Sequence, residues 1–205
     1  MANKDHSLDT PIITAAFTEF LTNGYEKTSL RTIAANADVT VGAIYTRYKT
    51  KDLLFCSLVQ PLLNRIEETF SSLKAEYSSE DPIYDPKEFI QTMQNESTMI
   101  LHLLFDDYDL AVLLLCRSAG SSLEHFFDSI VDRKIQESIE FFKNANVTGL
   151  DINVLKLLIS SQFHMYYQII ENGYDLDTAK TILHSVMIYH TGGWISLFEH
   201  SLQSL

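Results

Sequence analysis

From residue 40 to 51 the chain reads Thr-Val-Gly-Ala-Ile-Tyr-Thr-Arg-Tyr-Lys-Thr-Lys. Hydroxyls, a phenol and cations dominate it, and only Ile44 and Tyr48, one turn apart, share an apolar line. A helix here hides those two and turns Val41, Gly42, Ala43, Tyr45, Thr46 and Arg47 outward. Such side chains can bond to base edges, touch thymine methyls and neutralise phosphates, and a short helix presenting them fits a DNA major groove. Two other constellations carry possible chemistry. His102 and Asp106 stand one turn apart, a spacing compatible with a metal. A hydrogen bond on a helix surface is the commoner use of that spacing, and no third ligand accompanies the pair. His164, flanked by Tyr166 and Tyr167, is the other polar spot, with a satisfied histidine as its plainest reading.

The elements needed to hold the first constellation are legible around it. Leu30, Ile33, Ala34 and Ala37 form one helical face at i, i+3, i+4, i+7. Asp38-Val39 is too short for anything but a tight corner, and Thr40 can cap the next helix by accepting from a free backbone N–H. Thr28 and Thr50 sit at helix-starting positions and read as N-caps. Gly24 reads as the end of a first helix. Tyr48 reads as a packing aromatic, whereas Tyr45 lies off the Ile44–Tyr48 line.

The segment resembles the N-terminal domain of the Tet repressor (TetR) family of bacterial transcription regulators. The landmarks are Ile13-x-x-Ala16-Phe17-x-x-Phe20, Asn23-Gly24-Tyr25-x-x-Thr28-Ser29 and Leu30-x-x-Ile33-Ala34. Then come Val39-Thr40-x-Gly42-x-Ile44-Tyr45-x-x-Tyr48 and Lys49-Thr50-Lys51-Asp52-Leu53-Leu54. They cover roughly the first quarter of the chain, and only their combination is specific. The resemblance implies that Ala43, Tyr45 and Thr46 touch base edges or nearby backbone. It implies that Arg47 and Tyr45 grip phosphates, and that Lys51 opens a helix whose N-terminus also faces one. Thr28, Thr40, Val41 and Gly42 complete the expected DNA-binding set, Gly42 by leaving room for close approach. Val41 stands where a basic or polar residue is common, Ala43 where Thr or Ser is common, and Arg47 where His is common. The first two shift base reading toward thymine methyls or DNA shape.

A chain of 205 residues with 46% hydrophobic content can bury a small domain and a medium one. The expected division is 1–52 for DNA binding and 53–205 for a helical effector-binding and dimerisation domain. The net charge of −12 is unevenly placed. Residues 1–56 hold six Lys/Arg and six Asp/Glu, while 57–205 hold nine and 21. The DNA-facing end is thus the less acidic one, and the acidic body is repelled by a duplex. The longest apolar run, Leu110 to Cys116, spans seven residues, against about 20 needed to cross a bilayer. The N-terminal residues lack a signal-peptide pattern, and Cys56 and Cys116 form no disulfide framework. A cytoplasmic protein without cofactor or metal, and with no membrane association, is expected.

The remainder reads as helices. One runs from Thr50 through Pro61, where a kink is expected, to about Tyr77. Ser78 to Pro86 is a loop. Further helices are read over Lys87–Asp106, Leu110–Ser118, Ser121–Asn144, Ile152–Glu171 and Leu176–His200, with a break at Asn146–Gly149. The fold class is therefore all-α, a three-helix helix-turn-helix domain plus a larger helical domain. The last two helices are apolar on more than one side, which calls for a second burial partner. A second copy supplies it in a four-helix bundle, with Leu155, Ile159, Tyr166, Leu183, Met187, His190, Trp194 and Phe198 at the interface. A monomer that buries both faces internally is the competing explanation. The family pattern implies an effector pocket among His102, Phe105, Asp106, Tyr108, Arg117, Phe127, His164, Tyr167 and Gln168, with core packing the alternative for Phe127.

These readings point to a ligand-responsive transcriptional regulator, a repressor homodimer that releases a palindromic operator on binding a small molecule. A helical protein-interaction adaptor that keeps the helix-turn-helix as scaffold is the alternative. No phosphate loop, nucleophile elbow or zinc motif argues for an enzyme.

Overall fold

In the computed structural model, residues 8–76, 86–144 and 151–203 are described; the loop read at Ser78–Pro86 and the break at Asn146–Gly149 fall outside or at the edge of them. Those residues form nine helices and no strand: α1 (Asp9–Lys27), α2 (Leu30–Asn36), α3 (Val41–Arg47), α4 (Lys51–Glu76), α5 (Pro86–Asp106), α6 (Tyr108–Cys116), α7 (Phe126–Asn144), α8 (Ile152–Glu171) and α9 (Leu176–Gln203). The all-α expectation holds. None of these helices is long and apolar enough to cross a membrane.

Two compact units divide the chain, 1–64 with 107–126 and 65–106 with 127–205. The first unit thus extends past residue 52 and takes in α6, for a physical reason. Ala111, Leu113 and Leu114 of α6 are buried, and α1 packs against that helix. The first unit's core is Ile12, Ala15, Ala16 and Phe20 of α1, Leu30, Ile33 and Ala34 of α2, and Ile44 of α3, joined by Leu54 and Phe55 of α4. Phe20 and Tyr25 stack at 5.9 Å, and Phe55 meets them edge-on at 5.2 and 5.3 Å.

Local chemistry sets the helix ends. Gly24 takes φ +75° and breaks the regular part of α1, a backbone state that glycine adopts without steric penalty. Ser29, not Thr28, caps α2, its Oγ accepting from the Thr32 N–H at 3.1 Å. Thr40 caps α3 by accepting from the Ala43 N–H at 3.1 Å, and Thr50 caps α4 by accepting from the Leu53 N–H at 3.0 Å. Between α2 and α3, Asp38 adopts φ +52°, a left-handed corner that Asp tolerates better than most residues. The fourth helix runs unbroken through Pro61.

In the second unit each helix contributes one buried line. It comprises Ile66, Phe70 and Leu73 of α4, Met93, Ile100, Leu101 and Leu104 of α5, and Ile130, Val131, Ile135 and Phe142 of α7. Leu155, Ile159, Phe163, Tyr166, Ile169 and Ile170 of α8 and Ala179, Leu183, Met187 and Trp194 of α9 complete it. The α7 helix begins at Phe126 rather than Ser121, because 121–125 form turns held by Glu124 N–H to Ser121 O and Phe126 N–H to Leu123 O.

Candidate nucleic-acid interface

The candidate recognition element is α3. It is seven residues long, and of these only Ile44 is buried. Thr40, Gly42, Tyr45 and Thr46 are exposed, and Val41 and Ala43 are partly so. Tyr45 keeps 50% of its surface in solvent. The Thr46 hydroxyl donates to the Gly42 carbonyl at 2.9 Å, a bond that a rotation exchanges for an external acceptor. A Cβ built on Gly42 meets only the Thr40 Oγ1, at 3.8 Å. The protein's own packing therefore gives no reason for glycine there.

Three expected DNA contacts are placed otherwise. Thr28 is 4% exposed, and its hydroxyl donates to the Glu19 and Gly24 carbonyls at 3.1 and 2.8 Å. It ties off the end of α1 and has no hydroxyl left for a phosphate. The Arg47 side chain is 6% exposed and pairs with Asp9 at the start of α1, while its Nη1 donates to the Ala43 carbonyl at 3.1 Å. The guanidinium fastens α3 to α1 from behind. Lys51 donates its ammonium to the Tyr25 and Thr28 carbonyls at 2.8 and 3.0 Å and lies 4.0 Å from the centre of the Tyr25 ring. Partial burial pulls its pKa below the usual lysine value, with Glu26 opposing. Its charge caps the carbonyl end of α1, where a cation is favoured. Among the described residues of this unit, the exposed cations are Lys27, Arg31, Lys49 and Arg117.

The opposite side of the unit is clasped to the segment after α6. The Tyr25 N–H donates to the Arg117 carbonyl at 2.8 Å, and Arg117 Nε donates to the Leu21 carbonyl at 3.1 Å. Asp52 accepts from the Ser122 N–H and hydroxyl, both at 2.8 Å. Burial pushes the Asp52 carboxyl up, but those bonds outweigh it and hold the pKa below the ordinary value. Cys56 is partly buried, which raises its thiol pKa, with Ser122 opposing.

Residues 12–58 match the family model described as bacterial regulatory proteins, tetR family. That segment, from α1 into α4, is thus similar to the N-terminal domain of the tetR family. A search of curated protein sequences gives no match, whereas solved structures agree over nearly the whole chain. A TetR-like transcriptional regulator from Rhodococcus sp. RHA1 is 19% identical at TM-score 0.61, covering 92% of this chain and 97% of that one. The Bacillus subtilis regulator FadR, solved with stearoyl-CoA, is 22% identical at TM-score 0.57, covering 90% and 98%. MexZ of Pseudomonas aeruginosa, a repressor responsible for antibiotic resistance, is 15% identical at TM-score 0.61, covering 94% and 96%. At these identities the likeness establishes the fold. Within the matched segment, α3 is the element that is capped and faces solvent.

The residues expected to line an effector pocket are divided between the two units. Tyr108 and Arg117 belong to the first unit; burial raises the Tyr108 pKa, and Arg117 clasps α1. Within the second unit, His102 and Asp106 edge an open groove of about 320 Å³ shared with Arg65, Glu68, Thr69 and Met99. There Arg65 donates to Asp106 at 3.0 Å. Phe105 is half-buried. Phe127 gathers two others, His164 edge-on at 5.2 Å and Tyr167 at 5.6 Å. His164 is exposed, with Nδ1 2.9 Å from the Ser160 carbonyl, and Gln168 is exposed too. Among the described residues no group of three or more His, Cys, Asp or Glu is placed to hold a metal.

The expected dimer residues need a correction of face. Leu155, Ile159, Tyr166, Leu183, Met187 and Trp194 are each at most 6% exposed within a single chain. They are its core, so a second copy cannot reach them. His190 is half-buried, its pKa lowered by burial, and the Phe198 side chain lies outside those described. The most exposed apolar residues of α8 and α9 are Leu157 at 72%, Ile188 at 60% and Tyr189 at 78%, with Ile152 and Val154 less so. Sequence reading passes over them because they sit off the longest apolar line. Asp9, which anchors α3 through Arg47, escapes it as well, since nothing local couples residues so far apart.

Proposed function

We propose that this protein is a ligand-responsive, DNA-binding transcriptional regulator that represses by occupying a palindromic operator as a homodimer and leaves it when a small molecule binds. The observation that carries the reading is α3, capped by Thr40, held from behind by Arg47, and open to solvent at Gly42, Tyr45 and Thr46. Tyr45, Thr46 and the small Gly42–Ala43 surface make the base-edge and methyl contacts. Arg31 and Lys49 supply the phosphate contacts expected of Arg47 and Lys51.

Two-fold pairing brings two such helices to sites about one DNA turn apart. Leu157, Ile188 and Tyr189 are the apolar surface that a second copy covers, and the neighbouring Gly192 lets backbones approach. The effector acts by binding the DNA-incompetent arrangement more tightly and shifting the population toward it. The stearoyl-CoA bound by FadR, a protein of similar fold, supports a small organic effector here.

Titration of the protein's own promoter DNA at two salt concentrations tests the reading. Binding should weaken with salt, and Arg31→Ala and Lys49→Ala should each flatten the log–log slope by about 0.9 for every phosphate no longer neutralised. Binding that is absent, or equally strong at both salts, removes the proposed function.

A further inference from the structure

The interior of the second unit holds a cluster of polar side chains on α5, α7 and α8. Glu96 and Ser97 lie on the buried line of α5 between Met93 and Ile100, at 7% and 1% exposure. Glu96 pairs with Lys134 of α7. The Ser97 hydroxyl donates to the Met187 sulfur at 3.1 Å, and a thioether is a weak acceptor. Tyr166 of α8 is 2% exposed, and among the described residues its hydroxyl has no hydrogen-bond partner. Ser97 and Gln162 face it and temper its ionisation, but at a geometry short of a formed hydrogen bond. Burial first, and the Glu96 charge after it, push the phenol well above its ordinary pKa, so the group remains a neutral O–H donor. Native interiors keep very few unpartnered hydroxyls, and each calls for an explanation.

We propose that Tyr166, Ser97 and the Glu96–Lys134 pair are the polar anchor of the effector site, and that they receive an uncharged hydroxyl or carbonyl on an otherwise apolar small molecule. This rests on the ligand-responsive reading above and names its ligand class. The ligand oxygen accepts from Tyr166 and from Ser97, which gives up the poorer sulfur acceptor. Met187 is unbranched and deformable, so it can yield the space. Glu96 and Lys134 already neutralise each other, and a ligand charge would add a third buried charge with no counterpart. The aliphatic part then lies against Phe163, Ile100 and Met187.

Tyr166→Phe removes the hydroxyl and keeps the ring. The parent protein, Tyr166→Phe and the exposed control Tyr189→Phe are melted without ligand. Each is then titrated with 1-octanol, octanoate and octylamine, probes of equal chain length, following melting temperature and Trp194 fluorescence. Free Tyr166→Phe should melt no lower than the parent, because its lost hydroxyl was bonded to nothing. 1-Octanol should bind the parent in preference to both charged probes, and should bind Tyr166→Phe about tenfold more weakly. A lower melting temperature for Tyr166→Phe would mean that the hydroxyl makes a structural bond, and overturns the proposal. A preference for octanoate or octylamine, equal octanol affinity in Tyr166→Phe, or no binding of any probe also overturns it. These readouts need no DNA. Octanol that binds through Tyr166 yet leaves operator affinity unchanged supports the site and refutes effector-driven release.

Discussion

Arg47→Ala separates a residue that holds the recognition helix from one that holds DNA. The guanidinium is 6% exposed and its partner Asp9 is 36% exposed. Removing one member of a fully buried pair costs about 3–5 kcal/mol, whereas exposed pairs contribute about 0–1 kcal/mol. With one partner closed off and the other a third open to solvent, screening brings the expected loss to about 2 kcal/mol. For a chain of this size that lowers the melting temperature by roughly 4–8 °C. Asp9→Ala should cost a similar amount by stranding Arg47. The double variant should cost less than the sum, with a coupling of about 1–2 kcal/mol in a double-mutant cycle. The assay pairs thermal melts with operator titrations at several salt concentrations, run well below the lowered melting temperature. Affinity falls because α3 is less firmly held, but the log–log salt slope stays that of the parent. Were Arg47 a phosphate contact, the slope would drop by about 0.9 per subunit while the melting temperature stayed put. That pattern, or additivity with Asp9→Ala, refutes the account.

Gly42→Ala should raise the melting temperature, since alanine favours a helix by up to about 1 kcal/mol over glycine and the Cβ meets nothing closer than 3.8 Å. It should weaken operator binding at the same time, which melts and titration of the one variant reveal. Asp52→Asn tests the clasp at Ser122. The Asp52 pKa is lowered in the folded state, so its stabilisation is complete above the unfolded value of about 3.9 and is lost as pH falls through the lower folded value. The Asn variant should be less stable near neutral pH and lose less further stability on acidification, as denaturant melts against pH would show. Leu157→Glu with Ile188→Glu should convert a dimer to a monomer in sedimentation without lowering helix content, because both side chains face solvent in the single chain.

The positions of helices were legible because caps and breakers are local. Ser29, Thr40, Thr50, Asp151 and Asp175 each accept from a backbone N–H within three residues, and Gly24 carries its stop in its own φ. Charges were not legible in the same way. Whether Arg47 faces DNA or Asp9 depends on where α1 passes, 38 residues earlier, and no periodicity records it. Lys51 likewise answers to carbonyls at Tyr25 and Thr28. A positive residue beside a recognition helix is thus as consistent with fixing that helix as with neutralising a phosphate. For Arg47 the burial decides in favour of the helix.

The body shows the same division between what is local and what is not. In α9, Leu183, Met187 and Trp194 share one face, and Ile188 and Tyr189 lie around from it. Periodicity tells which residues share a face, but when two faces are apolar it cannot say which turns inward, and the longer line is then wrongly given to the partner. A physical criterion chooses better. A line that carries polar residues at core positions, as Glu96 and Ser97 do on α5, needs internal partners, and those must come from facing lines within the same chain. Lys134 on α7 and Met187 on α9 meet that need. The line containing Met187 therefore had to face α5, leaving Ile188 outside. The polar demand of two residues on one helix thus fixes the rotation of its neighbours, and with it which apolar surface is free for a second copy.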